Sequence, residues 1–162
     1  MDIESRLEEG ISLHQAGKLQ QAELIYQQIL QFDPENAEVH NLLGLIAYQV
    51  GKLQIATKLI NQAIKLEPSQ PTFFHNLGLV LKDQGNFVGA IRVYQKIVQV
   101  NPNESEAYNN LGNVLQEQER FKEGIVAYRK AIEIDSNFAD AYSNLGVALV
   151  KQGRFEEGIV AY

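Results

Sequence analysis

The feature that most constrains this sequence of 162 residues is a period of 34 residues that runs along its whole length. A chain with such a period builds one small unit several times and buries its core between neighbouring units. Two series of glycines follow the period, Gly10, Gly44, Gly78, Gly112 and Gly146 in one and Gly17, Gly51, Gly85 and Gly153 in the other. We predict one solenoid with units at 3–36, 37–70, 71–104, 105–138 and, incomplete, 139–162.

Each unit is predicted to contain two helices. In the unit 71–104, apolar or small residues stand at i, i+3, i+4 and i+7 from Phe74, which is one face of a helix. Gly85 interrupts this pattern, and a second apolar stripe follows it. That stripe ends at Asn101-Pro102, because proline disfavours helical geometry in the residue before it. The sequence therefore predicts an all-α fold of antiparallel helix-turn-helix hairpins.

The two glycine series are predicted to have different roles. A Gly inside a helix costs about 1 kcal/mol relative to Ala, so the first series indicates helices that approach too closely for a side chain. The second series is predicted to supply left-handed C-caps, which other residues adopt at a cost of about 1–2 kcal/mol. Glu119 stands in that second register, so we expect either backbone strain or a rearranged turn there. Gly124 and Gly158 replace alanines of earlier units, which predicts less stable final hairpins.

One helix start is predicted from a side-chain pattern. Asn103 followed three residues later by Glu106 matches a capping box, in which each side chain bonds a backbone N–H of the other residue. We expect this box to begin the first helix of the fourth unit.

Composition excludes several classes of partner. The formal net charge of −6 argues against binding to nucleic acid or anionic membrane, since phosphate binding needs clustered Lys and Arg, so a basic or neutral partner fits better. Without cysteine, the chain has neither a disulfide nor a thiolate metal site. The acidic start at residues 1–10 does not resemble a secretory signal, and no apolar stretch is long enough to span a bilayer. We expect a cytoplasmic protein.

Catalytic and metal-binding patterns are weak in this sequence. His14, His40 and His75, its three histidines, stand in different units and at different registers, so they imply no shared site. His40 takes the place of a core aromatic residue and is predicted to pack, partly buried. Nothing resembles a phosphate loop or a nucleophile elbow. We therefore predict no enzyme activity, no metal site and no cofactor.

The repeats resemble the tetratricopeptide repeat (TPR) family across essentially the entire chain. The third unit carries the family pattern at Phe74, Leu77, Gly78, Gly85, Ala90, Tyr94 and Pro102, with Ile97 where Ala is usual. The fourth unit departs from it at Glu119 and Ser136, and the first has the charged Arg6 and Glu9, as a terminal repeat facing water should. The resemblance implies a right-handed superhelical solenoid whose first helices line a concave groove.

The resemblance also implies which side chains face that groove. They are largely uncharged, and the set is Asn41, Tyr48, His75, Asn76, Lys82, Asn109, Asn110, Asn113, Gln116, Ser143 and Asn144. Asn76, Asn110 and Asn144 recur at the 34-residue spacing and are predicted to form a ladder that holds peptide backbone, similar to the groove of the O-linked N-acetylglucosamine transferase repeats. Alternatively, these amides tie neighbouring helices together. The family's two-carboxylate clamp needs first-helix cations that this chain lacks.

We therefore predict a protein-protein interaction scaffold that binds an extended peptide segment of a partner. The alternative is the N-terminal substrate-recruiting arm of a larger glycosyltransferase-type enzyme. Because the sequence stops within the second helix of its fifth unit, we expect a truncated form of a longer protein. Apolar surface is expected to be exposed there and to favour self-association, through Leu145, Leu149, Ile159 and Tyr162.

Overall fold

The computed structural model describes residues 2–161, and within them the secondary structure consists of ten α-helices joined by turns and short loops. In chain order these are α1 Ile3–Gln15, α2 Leu19–Phe32, α3 Ala37–Gln49, α4 Leu53–Leu66, α5 Pro71–Asp83, α6 Phe87–Val100, α7 Ser105–Glu117, α8 Phe121–Ile134, α9 Ala139–Lys151 and α10 Phe155–Ala161. The prediction of an all-α chain of paired helices is confirmed.

The chain divides into two compact units, residues 1–80 and residues 81–162, which we call unit 1 and unit 2. The core of unit 1 forms where α2 and α3 meet, around Tyr26, Ile29 and Val39, all of which are fully buried. The core of unit 2 includes Ile125 and Tyr128 of α8 packed with three residues of α9, Leu145, Ala148 and Leu149. In both units a second helix packs against the first helix of the following hairpin.

The first series of glycines lies where the two helices of a hairpin touch. A Cβ atom added to Gly10 would lie 2.5 Å from Tyr26 Cε1, and one added to Gly112 would lie 2.5 Å from Tyr128 Cε1. A Cβ at Gly44 would lie 2.6 Å from Ile60 Cγ1. The prediction that these glycines permit close helix packing is confirmed at all three positions.

The second series of glycines has the predicted left-handed backbone. The φ angles of Gly17, Gly51, Gly85 and Gly153 lie between 73° and 78°. Glu119 adopts the same region with φ of 56°, which confirms the expected strain. Its N–H donates to the carbonyl oxygen of Gln116 at 2.9 Å, as the N–H of Gly51 donates to Tyr48. The turn is therefore kept, and the strain is concentrated in one residue.

The predicted capping box is wrong. Helix α7 begins at Ser105, and its N-cap residue is Glu104, which makes no side-chain capping bond. The Asn101 side chain orders this loop instead, since its Nδ2 donates to Glu104 Oε2 at 2.6 Å and its Oδ1 accepts from the Asn103 N–H at 3.4 Å. The loop hydrogen bonds of Asn101 thus take the place of the box.

The prediction of an exposed apolar end is also wrong for two of its four residues. Leu145 and Leu149 are buried, because α9 packs back onto Ile125 and Tyr128 of the preceding hairpin. Ile159 is 74% exposed, and its neighbour on the same face, Phe155, is 62% exposed. Tyr162 lies outside the described residues.

Candidate functional site

In unit 1, hydrogen bonds between side chains place the first helices side by side. His14 Nε2 lies 3.2 Å from Gln49 Oε1, which joins α1 to α3. Asn76 Nδ2 donates to Asn41 Oδ1 at 2.9 Å, which joins α3 to α5. Residues separated by 35 positions, one more than the repeat, therefore lie beside each other on neighbouring first helices. We call this surface the first-helix face of unit 1.

Unit 2 repeats the same amide pair. Asn144 Nδ2 of α9 donates to Asn109 Oδ1 of α7 at 3.0 Å, with the same separation of 35 residues as Asn41 and Asn76. The pair joins two successive first helices, whose surface we call the first-helix face of unit 2. The sequence hypothesis that the ladder asparagines tie neighbouring helices together therefore holds for Asn76 and Asn144, two of the three ladder residues.

Two of the predicted groove residues are buried rather than presented to a partner. Asn41 is 4% exposed and Asn109 is 5% exposed, because each lies under the asparagine that donates to it. Asn76 and Asn144 are only half-buried. Each of these two uses one N–H in the pair and keeps its Oδ1 and its second N–H for other partners.

Two further amides of unit 2 have contrasting environments. Asn113 Oδ1 accepts a hydrogen bond from the Tyr128 hydroxyl at 2.9 Å. Burial, and then the negative charge of Glu117, raise the pKa of Tyr128, so its hydroxyl stays protonated and donates. Gln116 Oε1 is shielded from solvent and has no hydrogen-bond partner among the described residues. The residue itself is half-buried, so its side chain must turn outward before a bound N–H group can satisfy this acceptor.

The other predicted groove residues differ in exposure. Ser143 is exposed, whereas Tyr48, His75 and Asn110 are half-buried. Lys82 lies 3.5 Å from its neighbour Asp83, which partly neutralises its charge. In unit 1, Tyr48 lies on α3, the same helix as Asn41 of the amide pair. On α7 and α9 of unit 2, every predicted groove residue except Ser143 carries an amide side chain.

One row of aliphatic residues on the first helices was not predicted from the sequence. Ile11, Leu45 and Leu79 are half-buried on the first helices of unit 1, and Val147 is half-buried on α9. All four stand in the register of Asn113, so the same 34-residue period carried the signal. The signal is ambiguous, because aliphatic residues on a helix usually belong to its buried face.

The histidines have separate neighbours. His40 is half-buried, as predicted, and its Nε2 lies 2.9 Å from the carbonyl oxygen of Pro34, whereas His14 contacts Gln49 and stacks edge-on against Tyr26. Over the described part of the chain, no three His, Asp or Glu side chains are grouped in a way that could hold a metal ion. Within the same part, every helix is too short or too polar to cross a membrane.

A concave surface separate from the first-helix faces lies in unit 2, between α7 and α8. It encloses about 680 Å³ and is lined partly by Tyr108, Leu115 and Val126. Two of its charged residues pair with each other, since Lys130 Nζ lies 2.9 Å from Glu133 Oε1. This surface therefore combines an apolar lining with charged residues of both signs at its edge.

Comparisons with known proteins agree with this architecture. A family model described as tetratricopeptide repeat matches residues 13–75, and one described as TPR repeat matches residues 80–119 and 117–153. Among curated proteins, none matches the sequence significantly.

Solved structures with similar folds cover nearly the whole chain. MamA from Desulfovibrio magneticus RS-1 is 20% identical with a TM-score of 0.87, over 99% of this chain and 92% of that one. PilF from Pseudomonas aeruginosa is 18% identical with a TM-score of 0.88, over 99% and 73%. YrrB, described as a TPR protein with an unusual peptide-binding site, is 22% identical with a TM-score of 0.75, over 96% and 80%. At these identities the likeness shows the fold.

Proposed function

The chain belongs to the tetratricopeptide repeat family, and from this premise we propose that it is a protein-protein interaction scaffold whose first helices bind an extended peptide segment of a partner. We also propose that the predicted units from 3–36 to 139–162 are repeats of one solenoid. The description of YrrB as a peptide-binding TPR protein supports the same class of function.

The observation that carries the proposal is a set of hydrogen-bonding groups on the first helices that have no partner within the described structure. Asn76 and Asn144 each keep an Oδ1 acceptor and one N–H donor at half-buried positions, and Gln116 Oε1 has no partner within the described structure. An extended peptide exposes one N–H donor and one carbonyl acceptor per residue. Amides can bind those groups without selecting particular side chains, and Gln116 gains a donor that it otherwise lacks.

We propose that the chain itself catalyses no reaction. Its histidines lie apart, with Gln49 beside His14 and the Pro34 carbonyl beside His40. The two asparagine pairs join helices without a neighbouring carboxylate in the bond. These groups can hold a peptide, but they do not assemble a general acid and base around one atom.

The experiment that tests the proposal compares two glutamines of unit 2. Peptides are selected from a displayed library on the immobilised chain, and the Kd of an enriched peptide is measured for the wild type, Gln116→Ala and Gln99→Ala. Gln99 is an exposed residue of α6, a second helix, so it serves as the matched control. Loss of one hydrogen bond to the buried acceptor should weaken binding about 5- to 10-fold for Gln116→Ala alone. Failure to enrich any peptide, or equal affinity for all three proteins, would contradict the proposal.

The alternative is that this region is the substrate-recruiting arm of a larger glycosyltransferase-type enzyme. The half-buried amides of Asn76 and Asn144 are the feature on which this alternative rests, because a recruiting groove needs such groups to hold the backbone of a polypeptide substrate. Deleting this region from the longer protein should then reduce sugar transfer to polypeptides while leaving hydrolysis of the sugar donor unchanged. Equal transfer to polypeptides would exclude a recruiting role.

We propose that the final hairpin also supports weak self-association. The exposed Phe155 and Ile159 are the apolar groups that would meet a second copy, in place of the buried Leu145 and Leu149. Light scattering at high concentration should show association that Phe155→Ser with Ile159→Ser abolishes. A wild-type protein that stays monomeric would exclude this contact.

A further inference from the structure

We propose that the first-helix face of unit 1 selects basic peptide segments that carry aliphatic side chains. This inference rests on the proposed function and adds the chemistry of the partner. It is carried by two neighbouring rows of side chains, an aliphatic row on α1, α3 and α5 and an acidic row on α1 and α3.

The aliphatic row consists of Ile11, Leu45 and Leu79, which are all half-buried. Leu45 stands four residues after Asn41 and four before Gln49, so all three lie on one side of α3. Asn41 bonds to α5 and Gln49 bonds to α1. The row therefore crosses the surface between these two bonds, where the three helices lie side by side, and offers an apolar strip to a ligand.

The acidic row consists of Glu4 and Glu38, which are exposed. Each stands seven residues, or about two helical turns, before an aliphatic residue of the row and thus on the same helix face. Neither makes an ion pair within the part of the chain that the structure describes, whereas the nearby Arg6 is already paired with Glu9 at 2.6 Å. A carboxylate in the first turn of a helix interacts favourably with the positive end of the helix dipole, but its charge still faces solvent.

Charge complementarity identifies the occupant. A peptide lying on the aliphatic row places its flanking residues beside Glu4 and Glu38, so Lys or Arg is attracted there and Asp or Glu is repelled. The first-helix face of unit 2 differs, because Asn113 takes the aliphatic position between Leu79 and Val147. The aliphatic preference is therefore a property of unit 1.

Spacing gives the form of the ligand. Packed helices lie about 8–10 Å apart, and a polyproline II chain advances about 3.1 Å per residue with three residues per turn, so every third peptide residue meets a new first helix on the same side. The probe is a labelled peptide of about nine residues with Leu at every third position and Lys among the remaining serines. Two control probes replace its Lys by Glu or its Leu by Ser.

The test measures fluorescence anisotropy of these probes with the full chain. Glu4→Gln with Glu38→Gln removes the acidic row, and Glu35→Gln with Glu67→Gln is the matched control, since those exposed carboxylates lie in the loop before α3 and at the end of α4. The basic aliphatic probe should bind about tenfold more tightly than either control probe. The acidic-row variant should weaken it about 3- to 10-fold and the control variant less than about twofold.

A further variant tests the aliphatic row. Leu45→Asn introduces at this register the residue that unit 2 carries at Asn113, and it should abolish the preference for Leu over Ser in the probe. Equal binding of the Lys and Glu probes, or equal weakening by both carboxylate variants, would overturn the basic preference while peptide binding itself stands. If neither these probes nor library-selected peptides bind, the proposed function fails as well.

Discussion

At the scale of single residues, the amides of this protein divide between holding helices together and remaining open to a ligand. Asn41 and Asn109 are buried acceptors, while Asn76 and Asn144 donate to them from half-buried positions. Replacing a donor such as Asn76 would leave a buried acceptor unsatisfied, which costs about 1–3 kcal/mol. Gln116 is free of this complication and is the better residue for testing binding.

Replacing Glu119 by Gly should raise the melting temperature by about 2–4 °C. Glu119 holds φ at 56°, a region that costs a residue with a side chain about 1 kcal/mol and that Gly adopts freely. The control is Glu117→Gly, which places glycine within α7 and should lower the melting temperature. Thermal unfolding followed by circular dichroism measures both, and no gain for Glu119→Gly would contradict the strain.

The two fully buried tyrosines should respond differently to loss of the hydroxyl. The Tyr128 hydroxyl donates to Asn113, so Tyr128→Phe should reduce the free energy of unfolding by about 1 kcal/mol. The Tyr26 hydroxyl is buried without a partner among the described residues, so Tyr26→Phe should be neutral or stabilising. Urea denaturation compares the variants, and equal losses would count against the assigned hydrogen bond.

Single residues also show which features of the structure could be predicted from the sequence. The strain at Glu119 was predictable, because the four equivalent positions are glycine and this turn requires a positive φ. The burial of Asn41 and Asn109 was not, since the period aligns positions without showing that a side chain 35 residues away covers them. The box at Asn103 failed because a competing side chain, Asn101, bonds within the same loop.

At the scale of helices, two glycines of one hairpin should respond with opposite signs to Ala. A Cβ at Gly112 would lie 2.5 Å from the Tyr128 ring, so Gly112→Ala should destabilise by about 1–3 kcal/mol. At Gly124 the nearest atom is the Gly112 carbonyl oxygen at 3.3 Å, and Ala56 and Ala90 occupy the same register fully buried. Gly124→Ala should therefore stabilise by about 0.5–1 kcal/mol. Thermal unfolding measures both, and the same sign for the two variants would contradict this packing.

The asparagine pair between α7 and α9 should show energetic coupling. A double-mutant cycle of Asn109→Ala and Asn144→Ala is expected to give an interaction free energy of about 0.5–1.5 kcal/mol, because each single change removes the same hydrogen bond. The control cycle pairs Asn144→Ala with Gln99→Ala and should give none. Additive effects of Asn109 and Asn144 in urea denaturation would mean that the bond contributes no stability.

Helix order followed directly from the period, whereas the packing of the last hairpin did not. Leu145 and Leu149 looked exposed in the sequence because a repeat was expected to bury its face against the following one. In the structure α9 packs against Ile125 and Tyr128 of the preceding hairpin. The direction in which a helix packs depends on the hairpin before it, which a pattern within one unit does not contain.

At the scale of the whole molecule, each unit presents first helices with a chemistry of its own. Unit 1 combines the aliphatic row at Ile11, Leu45 and Leu79 with the exposed Glu4 and Glu38. Unit 2 presents amides, with Gln116 lacking a partner in its described surroundings. Family membership explains the shared helix arrangement, and these side chains are where the identity of a partner is determined.

The most direct test of peptide binding by the first helices is the change in backbone amide NMR shifts when a library-selected peptide is added. We predict that the shifted resonances belong to α1, α3, α5, α7 and α9, including Leu45, Gln116 and Asn144. Changes confined to the second helices, for example at Asn61, Gln99 and Val126, would contradict the account and place the binding surface on the opposite side of the hairpins.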